Sequence, residues 1–152
     1  MQTILLVITL VRKILGIAAV FAVGGLGYAA LELLWRGRTH WSMILAGGIC
    51  MSIMFLIFRR IPGVSLFMRG IIGAVVITVV EFMIGCIVNN RLGLKIWDYS
   101  DQKWNIMGQI CPLYSVLWGL LSLPVSQLCI VINNCYENIE RNAIHLKRKI
   151  SI

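Results

Sequence analysis

The sequence predicts an all-α, polytopic membrane protein: a bundle of four transmembrane helices followed by an amphipathic helix. Three observations predict it. Of the 152 residues, 59% are hydrophobic and the mean hydropathy is +0.88, whereas soluble domains are about 45–50% apolar. The apolar residues fall in runs that reach the ~20 needed to cross a ~30 Å hydrocarbon layer. Most of the 14 Lys and Arg residues sit at the ends of those runs.

The first helix is expected over about 10–35, with Arg12 and Lys13 near its start and Glu32 and Trp35 near its end. Charges followed by an apolar stretch and Tyr28-Ala29-Ala30 resemble a signal peptide, but the apolar run is too long for one. The short Arg36-Gly37-Arg38-Thr39-His40 link leads to a second helix over about 41–58, which Arg59-Arg60 stop. Pro62-Gly63 marks a turn. The third helix is expected over about 66–89, and residues 91–104 form the one sizeable loop. The fourth is expected over about 105–132 and contains Pro112 and Pro124, which a membrane bundle tolerates.

Residues 133–152 change character. Tyr136, Ile139, Ala143, Leu146 and Ile150 recur at helical spacing, with Glu137, Glu140, Arg141 and Lys147 to Lys149 between them. This segment reads as a basic amphipathic tail along a membrane surface. The chain thus divides into a bundle, 1–132, and a tail, 133–152.

Four spans place both ends on one side. Nine Lys and Arg residues (12, 13, 59, 60, 69, 141, 147, 148, 149) share that side and five (36, 38, 91, 95, 103) the other. The positive-inside rule makes the nine cytoplasmic, so both termini are expected inside. The net charge of +8 therefore reports topology, and no nucleic-acid partner is expected. Five cysteines, four of them inside apolar segments, read as small buried hydrophobes, not as disulfide or metal ligands.

Lipid supplies no hydrophobic force between helices, so interfaces use small and polar residues. Such stripes occur at Ala18, Ala22, Gly25, Ala29 and Glu32; at Ala74, Thr78, Glu81, Gly85 and Asn89; and at Gly108, Cys111, Ser115, Gly119 and Ser122, with Gly48 and Ser52 on the second helix. Glu32 and Glu81 stand out, because an ionisable group in a span is costly and usually functional. Arg36, four residues on, can pair with Glu32. Glu81 has no charged helical neighbour, so a partner is expected from Arg36, Arg38, His40 or Lys103. His40 beside Trp41 reads as an interfacial anchor or carboxylate partner. Asp98, in Trp-Asp-Tyr-Ser, suits either a binding role or a turn cap. Trp41–Cys50 and Trp104–Cys111 echo one another faintly, which suggests two related hairpins.

These residues also carry a family resemblance. The matching stretches are Gly27–Glu32, Arg36–Met43 with Ala46-Gly47-Gly48, Thr78–Phe82 with Gly85, Val88 and Asn89, then Trp97-Asp98-Tyr99-Ser100 with Asn105 and Gly108-Gln109-Ile110-Cys111. In them the chain resembles the small bacterial membrane proteins of the CmpB-like group, described as putative ABC-transporter type IV permeases. The resemblance covers roughly residues 14–125 and leaves out the basic tail; Lys103-Trp104 departs from the apolar or proline pair more usual there. It implies a bacterial inner-membrane transporter component. The chain has no Gly-x-x-x-x-Gly-Lys-Ser/Thr phosphate loop, so any ATPase is a separate subunit. Four helices make a narrow translocation path, so a homo-oligomer is expected too.

Three functions remain open at this point. The first is a transport component, with an outward-facing pocket for a small polar or cationic solute lined by Glu32, Arg38, His40, Glu81, Asn89, Trp97, Asp98, Tyr99, Asn105 and Gln109. The second is an enzyme acting on lipid head groups, with Glu81 or Asp98 as base; no metal cluster or nucleophile–base pair is visible in the sequence to support it. The third is a non-catalytic partner subunit. No cofactor and no metal is expected.

Overall fold

The computed structural model describes residues 2–150, and the side chains of these except 2–6, 8, 9, 12, 140 and 142–150. Among the described residues there are four long helices and no strand: α1 (Gln2–Arg36), α2 (Trp41–Arg60), α3 (Leu66–Gly85) and α4 (Pro112–Ile150). A π-helical turn, Cys86–Arg91, prolongs α3. Each helix contains a stretch long and apolar enough to cross a membrane: Lys13–Arg36, Trp41–Arg60, Leu66–Arg91 and Pro112–Ile139. The four-helix membrane bundle expected from the sequence is the observed fold.

Local chemistry sets the helix ends. The His40 ring nitrogen Nδ1 accepts from the Ser42 N–H at 3.3 Å and so caps α2. Ser65 Oγ accepts from the Met68 N–H and caps α3. Arg69 reaches back to the Val64 and Pro62 carbonyls and ties the α2–α3 turn.

The start of α4 differs from expectation. It begins at Pro112, not near 105, because residues 105–111 fold into a tight turn. Asn105 Oδ1 accepts the Gly108 N–H, and Met107 and Gly108 have φ of 55° and 68°. Proline then suits the first helical position, where no N–H is needed. The far end differs as well. The backbone is one unbroken helix through Pro124 to Ile150, 39 residues and so about 58 Å at ~1.5 Å per residue. The apolar face predicted for the tail lies mostly outside the described side chains, apart from Tyr136 and Ile139.

The packing is that of two antiparallel hairpins, α1 with α2 and α3 with α4, joined by α2. Glycine makes both close. A Cβ on Gly24 would meet the Gly47 carbonyl and Met51, and one on Gly73 would overlap Ser122. Ser122 is fully buried, and Thr78 donates to Ser115 Oγ at 2.9 Å. The expected stripes are buried on α3 from Val80 upward and on α1 from Gly25 upward, but Ala18 and Ala22 are exposed. At that level α1 turns a different face inward, with Val20 buried in the core.

Two apolar clusters fill the interior. Val20, Met51, Met54, Phe55, Phe58 and Cys129 form one, towards the Arg59 end. Met43, Cys50, Val80, Ile84, Val88 and Trp97 form the other, towards the 92–111 loop. Cys50, Cys111 and Cys129 are buried free thiols, as their apolar surroundings suggest.

Candidate functional site

Glu81 lies on the buried face of α3, 9% exposed. Two donors hold its carboxylate. The Tyr99 hydroxyl donates to Oε1 at 2.9 Å, and the Trp118 indole N–H donates to Oε2 at 2.7 Å. The expected cationic partner is not there. Arg36 pairs with Glu32 at 2.5 Å, His40 caps α2, and no Lys or Arg lies within ion-pair distance of Glu81 among the described residues.

Aromatic rings surround the carboxylate in series. Tyr99 stacks on Tyr114 at 4.4 Å between centroids, Tyr114 lies 6.2 Å from Trp118, and Trp118 lies 6.1 Å from Tyr28. Burial, and then the charge of Glu81, hold the Tyr99 phenol well above the usual tyrosine range. Tyr99 therefore remains a neutral donor at any physiological pH.

This cluster opens into a cavity of about 230 Å³. Tyr28, Gly24 and Leu31 of α1 form one wall, and Trp118, Leu121 and Val125 of α4 the other. Met43, Gly47 and Cys50 of α2 form the floor, with Glu81 and Trp97 at the end. The walls are apolar and Glu81 is the one carboxyl side chain among them. The cavity is lined by α1 on one side and α4 on the other, so it is a cleft between two membrane helices.

Of the other residues singled out from the sequence, Trp97 borders the cleft and Tyr99 reaches Glu81, and the rest do not share it. Glu32, Arg38 and His40 line a separate cavity of about 200 Å³ with Arg36, Lys95 and Ile96. Glu32 is buried there, and its Oε2 has no partner among the described residues.

Asn89, Trp97 and Gln109 form a closed network that pins the 92–111 loop to α3. Asn89 Nδ2 donates to the Trp97 carbonyl at 3.0 Å and to Gln109 Oε1 at 2.8 Å, and Asn89 Oδ1 accepts the Ile96 N–H. The Trp97 indole donates to the Gln109 carbonyl. The π-helical turn puts the Asn89 amide at the centre of these bonds. Of the three, only Trp97 also borders the cleft.

Asp98 and Asn105 stabilise the loop itself. Asp98 Oδ1 accepts from Ser100 N–H and Oγ, which holds its carboxyl below the usual range. Asn105 donates to the Ser100 and Gln102 carbonyls. Trp118 and Tyr28 line the cleft, Tyr114 stacks beside it, and none of the three was singled out from the sequence. The available signal was Trp118 itself: an indole N–H well inside a span needs an acceptor, and Glu81 was the acceptor without a partner.

The fold defines a multi-pass helical membrane protein. Residues 40–151 match the model of one family, described as "Putative ABC-transporter type IV", and the chain belongs to that family. The match spans α2 to the end of α4, and so includes Glu81, Tyr99 and Trp118 as well as the tail that the sequence resemblance had left out. Glu32 and Tyr28 precede it. No curated protein and no solved structure matches the chain.

Proposed function

We propose that this protein is the membrane-embedded part of a transporter whose cleft binds a small organic cation on Glu81. One observation carries the reading: a buried carboxylate with no basic partner among the described residues, ringed by four aromatic side chains at the end of an apolar cleft. A carboxyl group in a span needs compensation to carry its charge. Two neutral donors supply part of it, and a bound cation supplies the rest. Aromatic faces attract ammonium groups, most strongly once desolvated. The cleft is smaller than the ~300–1,000 Å³ typical of drug-sized ligands, which favours a compact solute with a short apolar body.

The remaining assignments follow from sequence and family. A separate ATPase supplies the energy, since the chain carries no phosphate loop. Both termini face the cytoplasm, on the nine-to-five distribution of Lys and Arg. Residues 133–152 act as a basic tail beyond the bundle, and Glu32, Arg38 and His40 serve as an accessory polar site at the loop end.

The test is binding of quaternary ammonium ions of increasing alkyl length to the purified chain in lipid nanodiscs. Glu81→Gln keeps the shape and both contacts, because its Oε1 can accept from Trp118 while its amide donates to the Tyr99 oxygen. We expect wild-type binding with an optimum at short chains, and at least about tenfold weaker binding by the variant, a loss of ~1.4 kcal/mol. Equal affinity in the two proteins overturns the Glu81 assignment. Purification from native membranes without any stoichiometric ATPase overturns the ABC assembly.

A further inference from the structure

A second, larger cavity lies on the α1–α4 seam at the opposite end of the bundle. Its volume is about 640 Å³. The buried Val20 and Cys129, packed with Met51 and Met54, separate it from the Glu81 cleft. Lys13, Arg59 and Arg60 line it, and no acidic side chain does so among the described residues. Its walls are apolar, with Phe55 of α2 and Ile132 of α4 among them.

We propose that this cavity binds an anionic phospholipid, with the phosphodiester on Arg59, Arg60 and Lys13 and an acyl chain against Phe55 and Ile132. Three observations converge. The cations lie at membrane-interface depth, since Lys13 begins the first span and Arg60 ends the second. They are uncommitted: Arg59 and Arg60 make no ion pair or side-chain hydrogen bond among the described residues, whereas nearby Arg69 is spent on the α2–α3 turn. The Arg59 guanidinium lies 5.4 Å over the Tyr136 ring, which orients it without neutralising it.

A basic mouth on an apolar gap between helices has the chemistry of a lipid head-group site. Free phosphate would use the cations and leave the apolar walls unfilled, so the lipid is the better fit. The occupied seam would also join α1 to α4 at the level where Ala18 and Ala19 are exposed. This proposal does not depend on the Glu81 reading.

The test measures the thermal unfolding midpoint of the purified full chain in detergent. The probes are short-chain phosphatidylglycerol, short-chain phosphatidylcholine and inorganic phosphate. The expected result is a rise with phosphatidylglycerol alone. Arg59→Gln/Arg60→Gln should need at least about tenfold more of it, and Arg91→Gln/Lys103→Gln, at the other end, should respond as wild type. A rise of equal size with phosphatidylcholine, a rise with phosphate alone, or the same loss in both double variants overturns the proposal. Native mass spectrometry of the wild type, taken from vesicles of both lipids, decides the case even where a variant does not fold. Retained phosphatidylglycerol supports the site, and no preference between the lipids overturns it.

Discussion

The Trp118 indole N–H donates to Glu81 Oε2 at 2.7 Å across the α3–α4 interface, 37 residues apart in sequence. Each residue answers the other's need. Trp118 brings an N–H into hydrocarbon and Glu81 a carboxyl group that accepts it. Together with Tyr99 the pair sets the position of the carboxylate at the end of the cleft.

Trp118→Phe keeps an aromatic ring and removes this donor. Leaving a buried acceptor unsatisfied costs about 1–3 kcal/mol. A thermal-unfolding double-mutant cycle of Trp118→Phe with Glu81→Met, which removes the acceptor oxygens, should show a coupling of about 1 kcal/mol. Additive effects would mean that the hydrogen bond contributes nothing to stability.

The hairpin glycines differ sharply in what they tolerate. A Cβ on Gly73 overlaps Ser122, and one on Gly27 meets nothing within 4 Å. Gly73→Ala should therefore separate α3 from α4 and cost about 1–3 kcal/mol. Gly27→Ala should be neutral, or stabilising by up to about 1 kcal/mol through helix propensity. Unfolding midpoints of the two variants, measured in one detergent, check the contrast.

The loop closes over the bundle through Asn89. Asn89→Leu removes both amide bonds and the acceptor of the Ile96 N–H, leaving buried polar groups unpaired at about 1–3 kcal/mol each. Proteolysis within residues 92–111 should accelerate strongly in this variant and remain unchanged in Lys103→Gln, whose side chain is exposed. Equal cleavage of both would remove Asn89 from the loop-closing role.

Tyr99 also predicts a pH dependence. Its folded-state pKa is raised above the unfolded value of about 10, so the folded state favours the neutral phenol. The stability this contributes is fully present below pH ~10 and is lost as pH rises beyond it. Tyr99→Phe should lower stability near neutral pH and flatten the alkaline limb of the profile. An alkaline limb as steep as wild type in Tyr99→Phe would assign it to other groups.

Much of the fold was legible because membrane insertion is a one-dimensional constraint. Run length, flanking Arg and Lys, and Pro62-Gly63 place α2, α3 and the end of α1 within a few residues, since each signal is local, whereas α1 begins at Gln2 and not near 10. The start of α4 was misread because hydropathy continues through Ile106 and Met107, while the turn there depends on Asn105 and Gly108. Pro112 was the better marker. The small residues on α3 and α4 correctly pointed to a close interface, because glycine permits backbone approach whatever the partner.

The sequence alone determined that this is a four-span membrane protein with a carboxylate at Glu81 that must be compensated. Composition, run length and the cost of charge in hydrocarbon require no knowledge of neighbours. Tertiary structure decided what surrounds that carboxylate. It assigned Arg36 to Glu32, Asn89 and Gln109 to the loop network, and Tyr99 and Trp118 to Glu81. Hydrogen-bond partners are selected by distances between helices, and those distances follow from packing at Gly24, Gly47 and Gly73 that no periodicity encodes. The gap between α1 and α4 arises in the same way: each helix has its closest packing within its own hairpin, and the seam left between the hairpins holds both cavities.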